Sequence, residues 1–334
     1  MESASEVALV EPHWAGKRLD AAAAQLFSAY SRSRLQIWIN DGYLTVDGQQ
    51  RRCRDKLVGG EELSLSVPAE LAAQALAEAP IDLTASEAQS VDFPVVFEDE
   101  QIMVIDKPAG LVMHPAPGNR QGTLLNGLLE RLPQLVHVPR AGIVHRLDKD
   151  TTGLCVVAKT LVAHTHLVRQ LQERSMGRSY TAVAIGEVPV NGTIDAAIGR
   201  HPRDRKRMAV LDRGKPAVTH FQCAERYDGC ARLDIRLETG RTHQIRVHLA
   251  HIGHSLLGDR IYGRRLAVLP RQIASVAEVA GFSRQALHAY KLTLQHPGTA
   301  ELLTFETDLP DDMKHLCLAL ADAATVNLQE SLKK

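Results

Sequence analysis

The chain has 334 residues, of which 45% are hydrophobic and 23% are charged, and its formal net charge at pH 7 is zero. This length favours two or three structural units, and the hydrophobic content excludes a wholly disordered chain. The sequence contains no run of about 18 apolar residues and does not begin with a basic segment followed by an apolar one, so it predicts neither a membrane span nor a secretory signal.

Residues 1–67 are predicted to form a small α/β unit of two helices and a short sheet. Apolar residues at helical spacing predict a helix over 18–28, and Ser31 is a suitable first residue for a second helix. Strands are predicted at 43–46 and 62–67, with an Asp47-Gly48 turn after the first. The basic side chains of this unit are either RNA contacts or an ordinary solvated surface. The candidate RNA contacts are Arg18, Arg32, Arg34 and Lys56.

Charge is strongly segregated along the sequence. Residues 68–92 are acidic and rich in Ala, and they are predicted to be a linker. Residues 68–106 contain nine acidic and no basic side chains, whereas residues 107–334 contain 31 basic and 21 acidic side chains. Either this segregation is accidental, or the region after residue 107 contacts a polyanion for which the acidic linker does not compete.

Residues 93–322 mix predicted strands and helices. Alternating or apolar runs predict strands at 95–97, 102–106, 154–158, 180–185, 218–227, 231–238, 287–294 and 302–307, of which the first two form a hairpin closed by 107–110. Helices are predicted over 123–132, 161–175, 242–251 and 311–321, and residues 323–334 are predicted to be a flexible tail. Since strands and helices do not alternate regularly, the sequence predicts an α+β fold with a mixed, largely antiparallel sheet.

The densest group of polar residues lies at 142–154, in the segment Gly-Ile-Val-His-Arg-Leu-Asp-Lys-Asp-Thr-Thr-Gly-Leu. It is not a protein-kinase catalytic loop, because Asp does not directly follow His-Arg and the Gly-rich loop is missing. It is not an EF-hand, because Lys159 stands where the bidentate Glu is required. A pair of catalytic carboxylates from Asp148 and Asp150, as in glycosidases, stays open because the sequence does not give their separation.

A second polar group, at 238–248, has the sequence Glu-Thr-Gly-Arg-Thr-His-Gln-Ile-Arg-Val-His. Its predicted helix begins at Thr242 after a glycine, and such a helix start is suited to receive a phosphate. His248, His251 and His254 recur every three residues. Because no Cys or Glu joins them, packing or capping is favoured over a zinc site.

A third group is basic and follows Arg200. Its candidate phosphate contacts are Arg203, Arg205, Lys206 and Arg207. The five cysteines include no Cys-x-x-Cys pair, which argues against a disulfide framework and a zinc ribbon and indicates a reducing cytoplasm. No P-loop or dinucleotide fingerprint is present, so neither a nucleotide cofactor nor a catalytic metal is expected. The residues alone support a cofactor-free enzyme or binding protein with an Asp–Arg centre.

These segments closely resemble the RluA/RluD-type family of pseudouridine synthases, over about residues 16–320. The most specific match is 145–153, His-Arg-Leu-Asp-Lys-Asp-Thr-Thr-Gly, and the second is 240–248. Lys107-Pro108 and the segments 214–217 and 257–259 also fall where the family has them. Residues 18 to about 67 resemble an S4 RNA-binding module. Within the family, the S4 segment together with 201–202 and 208–210 is most similar to the branch that acts on the large ribosomal subunit.

The resemblance implies that the chain isomerises specific uridines of 23S ribosomal RNA to pseudouridine, as a cytoplasmic monomer without a cofactor. Asp148 would be the nucleophile that starts cleavage of the glycosidic bond, and the sequence leaves open whether it attacks ribose C1′ or acts on C2′ or on uracil C6. Arg246 would keep Asp148 ionised, and Tyr180 would stack on the uracil. Arg146 would fill the gap left by the uridine when it is flipped out of its RNA stem. The further substrate contacts would be His145 and Arg241.

Three other functions stay open from the sequence. The chain could modify other ribosomal sites or transfer RNA instead of the large-subunit sites. It could be a non-catalytic RNA-binding assembly factor, although a pure binder has no need for Asp148, Tyr180 and Arg246 together. Hydrolytic removal of the base would release free uracil, which an isomerase does not.

Overall fold

The computed structural model describes residues 3–27, 30, 32–68, 71, 88–115, 119, 121–204, 207–263 and 268–331, with the backbone alone at 3–4, 32–33 and 325–331. The chain forms two compact units. One is drawn from Met1–Glu87 and Leu132–Ala141, and the other from Ala88–Arg131 and Gly142–Lys334. Most of the predicted linker 68–92 lies outside the described residues. None of the described helices is long and apolar enough to cross a membrane.

Two helices and a small sheet form the first unit, as predicted. Its elements are β1 (Ser3–Leu9), α1 (Leu19–Leu26), α2 (Arg32–Asn40), β2 (Leu44–Val46) and β3 (Glu62–Pro68). The sheet is antiparallel with β3 in the centre, and the helices share one apolar core with it through Leu19, Trp38 and Leu63. Asp47 and Gly48 have φ of 50° and 75°, so the predicted turn after β2 is confirmed.

The sequence pattern does not predict β1. This strand pairs with β3 through its backbone, from Ser3 opposite Pro68 to Leu9 opposite Glu62. Its most apolar side chains face solvent, since Val7 is 61% and Leu9 is 65% exposed. A strand that buries few side chains carries no alternation by which it could be recognised. Ser31, the predicted first residue of α2, lies outside the described residues.

The second unit is built on a nine-stranded sheet. In chain order the strands of this unit are β4 (Val95–Glu98), β5 (Ile102–Lys107), β6 (Thr152–Ala158), β7 (Gly177–Ile185), β8 (Asn191–Asp195), β9 (Ile198–Arg200), β10 (Met208–Val210), β11 (Val218–Tyr227), β12 (Cys230–Leu237), β13 (Leu287–Gln295) and β14 (Leu302–Glu306). The sheet order is β4-β5-β6-β13-β7-β12-β11-β8, β14 pairs with β13, and β9 and β10 form a separate hairpin. Only β13 and β6 pair in parallel among the described strands, so the predicted mixed, largely antiparallel sheet is confirmed.

Helices cover this sheet through two apolar clusters. The helices are α3 (Leu124–Arg131), α4 (Leu161–Gln172), α5 (Gln244–His251), α6 (Arg271–Ala274), α7 (Ala277–Gly281) and α8 (Asp311–Ser331). One cluster joins β5 and β6 to α4 through Val104, Val156 and Leu167. The other joins β7 to α6 and α8 through Val183, Ile273 and Leu316. The strands that lead into the polar motifs therefore lie on a well-packed frame.

The structure corrects several predicted boundaries. The β4–β5 hairpin is connected by residues 99–101, whereas Lys107 ends β5 and residues 108–110 follow it. Helix α5 begins at Gln244 rather than Thr242, because His243 has the left-handed φ of 56°. The elements β8, β9, β10, α6 and α7, which have three to five residues each, are not predicted. Helical backbone continues in α8 to Ser331, into the segment 323–334 that was predicted to be a flexible tail.

Candidate active site

The polar segment 144–151, here called the site loop, leads directly into β6. Gly153, the second residue of β6, has φ 109°, and a Cβ atom there would lie 2.2 Å from the carbonyl oxygen of Ala289 in β13. Glycine therefore allows β6 to pair with β13 immediately after the loop. Within the loop, the Thr151 N–H donates to the Asp148 carbonyl oxygen at 3.1 Å, which closes a turn. The chain thus presents the Asp148 side chain from a turn at the start of β6, a strand that is paired on both sides by β5 and β13.

Lys107, the last residue of β5, holds the site loop through its buried side chain. Its ammonium group donates to the carbonyl oxygens of Pro108 at 2.8 Å, Leu111 at 3.0 Å and Lys149 at 2.9 Å. Three carbonyl acceptors match the three N–H donors of an ammonium group. Burial lowers the pKa of Lys107 to about 8, although nearby negative charges, among them that of Asp148, oppose the shift.

The pH dependence of stability reports on Lys107. Because its pKa is lowered to about 8 in the folded protein, the unfolded chain binds more protons than the folded chain between pH 8 and 10.5. The stability that depends on this group therefore rises with pH across that window. We expect the free energy of unfolding of the wild type, minus that of Lys107→Met, to increase by up to about 3 kcal/mol between about pH 7 and pH 11. Chemical denaturation of both proteins measures this difference, and a constant difference would mean that Lys107 has an ordinary pKa.

Arg284 and Gln285 anchor the site loop from the segment before β13. Arg284 Nη1 donates to the Asp150 carbonyl oxygen at 3.2 Å, and Gln285 Nε2 donates to Thr151 Oγ1 at 3.1 Å. The Arg284 guanidinium is itself held by Asp312 of α8, in a bidentate pair with N–O distances of 2.6 and 2.8 Å. Sequence reasoning assigns no role to this segment, because a single arginine between loop residues forms no recognisable pattern.

The centre of the site is a chain of three charged side chains. Asp148 Oδ2 accepts a hydrogen bond from Arg246 Nη1 at 2.9 Å, which is the pair that the family resemblance implies. Arg246 also forms a bidentate pair with Asp259, from Nε at 2.7 Å and from Nη2 at 2.9 Å. The exposed fraction of the side chain is 13% for Asp148, 5% for Arg246 and 0% for Asp259. The guanidinium is therefore fixed by a fully buried carboxylate and presents its remaining amino group to Asp148.

Arg246 and Asp259 form a charged buried pair. Burial opposes the charge of Arg246, but the hydrogen bonds and charges of Asp259 and Asp148 outweigh burial and raise the Arg246 pKa. Burial likewise opposes the charge of Asp259, but Arg246 and two backbone N–H groups outweigh it, so the Asp259 pKa is lowered. These N–H groups belong to Ile261 and Tyr262 and donate to Asp259 Oδ1 at 2.9 and 3.0 Å. Asp259 is thus held by the backbone and in turn orients Arg246.

Sequence reasoning does not identify Asp259 as part of the site. Gly258 before it has φ 73°, and a Cβ atom there would lie 2.1 Å from the carbonyl oxygen of Arg284, so the chain requires glycine at this turn. A Gly-Asp pair after an apolar run predicts a turn. The family resemblance includes both 257–259 and the segment of Arg246, 13 residues earlier, but no role is assigned to Asp259 from it.

Asp148 and Arg246 line a cavity of about 550 Å³, which is within the size range of small-molecule pockets. Its charged and polar lining includes Arg146, Asp148, His243, Arg246, Arg260 and Arg284. Arg146 is exposed at this cavity, two residues before Asp148. Arg246 and Arg284 are paired with Asp259 and Asp312, and the further arginines Arg146 and Arg260 favour a substrate that carries negative charge.

Tyr180 is buried in β7 and is not among the described residues that line this cavity. Burial raises the pKa of Tyr180, the positive charge of Arg178 opposes that shift, and the charge of Asp148 adds to it. The Asp148 charge thus acts on the phenol although the two side chains share no hydrogen bond among the described residues. The predicted role of Tyr180 at the uracil remains a proposal.

His145 and Arg241 have structural partners and are likewise not among the described residues that line the cavity. His145 Nε2 accepts a hydrogen bond from the Val156 N–H at 3.1 Å. Burial, together with the positive charge of Arg178, lowers the pKa of His145 to about 3, so the ring is neutral. Arg241 Nε donates to the Pro216 carbonyl oxygen at 3.0 Å. The structure therefore brings Arg146, but neither of these two residues, to the cavity beside Asp148.

Two of the three spaced histidines, His248 and His254, contact other parts of the chain, whereas His251 is exposed. His248 is buried, with Nδ1 2.9 Å from Thr219 Oγ1 and Nε2 2.9 Å from the Ala196 carbonyl oxygen. His254 Nδ1 lies 3.2 Å from the Ile185 carbonyl oxygen. In the part of the chain that the structure describes, no three His, Cys, Asp or Glu side chains are placed to hold a metal ion.

The predicted RNA contacts of the first unit differ in how freely they reach solvent. Arg18 forms a bidentate pair with the buried Asp20 at 3.0 and 2.9 Å, while 45% of its side chain stays exposed. Lys56 is exposed and Arg34 is half-buried. The side chain of Arg32 lies outside the described residues.

In the second unit, an exposed basic surface surrounds the β9–β10 hairpin. Arg203 is exposed, and Arg207 is half-buried, with Cζ 5.4 Å from the centre of the Tyr262 ring. Arg205 and Lys206 lie outside the described residues. Residues 213–215 approach this hairpin, because Lys215 pairs with Ile198. The basic surface comprises Arg200, Arg203, Arg213 and Lys215, all of which are exposed.

Comparison with known proteins agrees with this arrangement. The family model of RNA pseudouridylate synthases matches residues 101–251, which include the site loop and α5. Ribosomal large subunit pseudouridine synthase D of Pseudomonas aeruginosa is 53% identical over 300 residues, covering 89% of this chain and 90% of that protein. The protein of the same name from Xanthomonas campestris pv. campestris is 48% identical over 324 residues, covering 96% and 94%.

Solved structures show the same fold. Human RNA pseudouridylate synthase domain containing 4 is 24% identical, with a TM-score of 0.53 over 68% of this chain and 92% of that chain. Human RNA pseudouridylate synthase domain containing 1 is 25% identical, with a TM-score of 0.51 over 66% and 84%. The predicted family and enzyme class are therefore confirmed: the chain belongs to the RNA pseudouridylate synthase family and is an RNA pseudouridine synthase, an isomerase.

Proposed function

We propose that this enzyme converts specific uridines of the 23S ribosomal RNA to pseudouridine, with Asp148 as the nucleophile. The role of Asp148 is supported by its position at the cavity, where its carboxylate accepts a hydrogen bond from Arg246. The guanidinium of Arg246 is itself held by a bidentate pair with Asp259. The relatives from P. aeruginosa and X. campestris support the substrate, since both are named for the large ribosomal subunit and resemble this chain over most of its length.

The chemistry begins at the ribose of the target uridine. Asp148 Oδ1 attacks C1′, the C1′–N1 bond breaks, and its electron pair leaves with the uracil. The uracil then turns so that C5 bonds to C1′, and the C1′–O bond breaks with return of its electron pair to the carboxylate. C5 loses its proton and N1 gains one. Because the product is an isomer of the substrate and no electrons are gained or lost, the scheme requires no cofactor.

Two side chains act on the base in this proposal. Tyr180 stacks on the uracil and keeps it in the site while it turns. Arg146 takes the place of the flipped nucleotide in the RNA stem, which offsets an unstacking cost of about a few kcal/mol. Exposure of Arg146 at the cavity beside Asp148 supports this role.

Phosphate contacts hold the RNA over the site. The exposed basic surface at the β9–β10 hairpin belongs to the same unit as the cavity and supports backbone contacts there. We further propose that the first unit is an S4 module, in which Lys56 and Arg18 contact RNA. Both surfaces would bind without reading sequence, so the choice of uridine depends on the shape of the stem that exposes it.

A direct test uses purified protein and three separate RNAs: a 23S transcript, a 16S transcript and total unmodified transfer RNA. We expect pseudouridine, mapped by carbodiimide labelling and primer extension, in the 23S transcript alone. Pseudouridine in transfer RNA alone would replace the proposed substrate while keeping the enzyme class. The protein could instead bind 23S RNA tightly and form no pseudouridine, either in the free transcript or in an assembling large subunit. That result would favour the assembly-factor function.

A further inference from the structure

His243 stands in an unusual backbone conformation at the cavity. It directly precedes α5 and has φ 56°, in the left-handed region that non-glycine residues rarely adopt. Its ring lies between two side chains: Nδ1 is 2.8 Å from the hydroxyl of Tyr262, and Nε2 is 3.9 Å from Asp148 Oδ1. Strained backbone at a site is often kept because it places a functional group.

The hydrogen bonds around Tyr262 determine the tautomer of His243. The Tyr262 oxygen accepts from the Met208 N–H at 2.7 Å, and Tyr262 is buried. Its own O–H has His243 Nδ1 as its acceptor, and no other acceptor for it occurs among the described residues. Nδ1 of His243 is therefore the acceptor, so the proton of the neutral ring is on Nε2. The Tyr262 ring is kept in place from one side by Arg246, whose Cζ lies 5.1 Å from the ring centre.

The Nε2–H of His243 and Oδ1 of Asp148 are both free to meet a ligand. A separation of 3.9 Å is too long for a hydrogen bond between them. Within the described part of the chain, neither His243 Nε2 nor Asp148 Oδ1 forms a hydrogen bond. Arg246 donates to the other carboxylate oxygen of Asp148, Oδ2. Both residues line the cavity. A group that binds at Oδ1 is thus within reach of the Nε2–H donor.

The stereochemistry of a ribonucleoside indicates which group that is. The base and the 2′-hydroxyl lie on opposite faces of the ribose ring. A carboxylate that displaces N1 in line at C1′ therefore approaches from the face that carries O2′. A donor about 4 Å from the attacking oxygen is within reach of O2′ on that face, whereas the base lies on the opposite face of the ribose.

We propose that His243 is a further catalytic residue, whose Nε2–H donates a hydrogen bond to the 2′-oxygen of the target uridine and sets the ribose for attack by Asp148. The inference rests on the proposed function. It also makes His243 a determinant of specificity, because a site built to hydrogen-bond a substrate hydroxyl rejects the analogue that lacks it. The enzyme would thereby prefer a ribonucleotide over a deoxyribonucleotide at the reacting position.

The test is a cycle in which protein and substrate are changed separately and together. Wild type and His243→Asn are each compared on a short stem-loop that carries either uridine or 2′-deoxyuridine at a position that the wild type modifies. Asparagine tolerates the left-handed backbone, and its shorter side chain does not reach the 2′-oxygen. We expect each single change to lower the single-turnover rate constant by about 10- to 100-fold, and the combination to lower it by no more than about threefold further.

Tyr262→Phe gives a second variant that keeps the ring beside Arg246 but removes the hydroxyl that fixes the tautomer. We expect a smaller loss on uridine, about 5- to 20-fold, which also disappears on 2′-deoxyuridine. If the deoxy substrate reacts too slowly to measure, the same cycle is measured as the Kd of stem-loops bound to Asp148→Asn, with and without His243→Asn.

Losses that multiply, in either the rate or the Kd cycle, would overturn the contact between His243 and the 2′-oxygen. That result leaves the proposed function intact, because the wild type would still isomerise the uridine. A wild type that binds the 23S stem-loops but modifies none of their uridines would refute the proposed function itself. The two failures are therefore distinguishable.

Discussion

Asp148→Asn is expected to lower the rate of pseudouridine formation by at least about 10⁴-fold, since loss of a residue that forms the covalent intermediate has effects of this order in other enzymes. The amide is nearly isosteric with the carboxylate, and its oxygen can still accept the hydrogen bond of Arg246, so the fold and the site loop should persist. A neutral amide is, however, a very poor nucleophile at C1′. Single-turnover assays of product, together with the Kd for the same RNA, measure the two effects separately, and we expect the Kd to change by no more than about threefold.

Asp150→Asn is the matched control for this prediction. Asp150 belongs to the same loop and also lines the cavity, but its contact with Arg284 is made by its backbone carbonyl rather than its carboxylate. We expect this variant to keep activity within about tenfold of wild type. A loss as large as that of Asp148→Asn would instead favour a scheme in which two carboxylates act together.

Arg246→Met is expected to reduce both activity and stability. It removes the group that orients Asp148 and leaves the fully buried Asp259 carboxylate without its counter-charge. Breaking a buried pair on one side costs about 3–5 kcal/mol. We expect a fall of that size in the free energy of unfolding, and a fall in the rate constant of about 10²- to 10³-fold at a temperature where the variant is folded.

The double variant Arg246→Met with Asp259→Asn separates the two effects. It removes the unpaired charge, while the asparagine oxygen can still accept from the N–H groups of Ile261 and Tyr262. We expect denaturation to show that most of the lost stability returns, whereas the activity stays low. Recovery of near-normal turnover in the double variant would mean that Arg246 acts only on folding and has no role beside Asp148.

The long helices and strands could be predicted from the sequence, because the spacing of their apolar side chains indicates which face is buried. Helix α4 and strands β11 and β12 have regular patterns, and the structure confirms them. Strand β1 was missed because it is held by backbone pairing and exposes Val7 and Leu9. The short helices α6 and α7 were missed because four or five residues do not define a period.

The candidate site also contains residues that the sequence predicts and residues that it does not. Asp148 and Arg246 stand in dense polar segments, and the family resemblance connects two residues that are 98 positions apart. The importance of Asp259 and His243 is visible only from geometry: Asp259 is a buried carboxylate behind Arg246, and the left-handed backbone of His243 makes the helix begin two residues later than predicted. Periodicity assigns such residues to a turn and a helix, and it contains no information on what they face.

The central claim, isomerisation by Asp148, is tested most directly with a 23S transcript that carries tritium at C5 of uridine. Isomerisation releases that tritium to water because C5 loses its proton when it bonds to C1′. We predict tritium release by wild type and not by Asp148→Asn, with no free uracil from either protein. Release of free uracil would instead show hydrolysis of the glycosidic bond, and equal tritium release by both proteins would contradict Asp148 as the nucleophile.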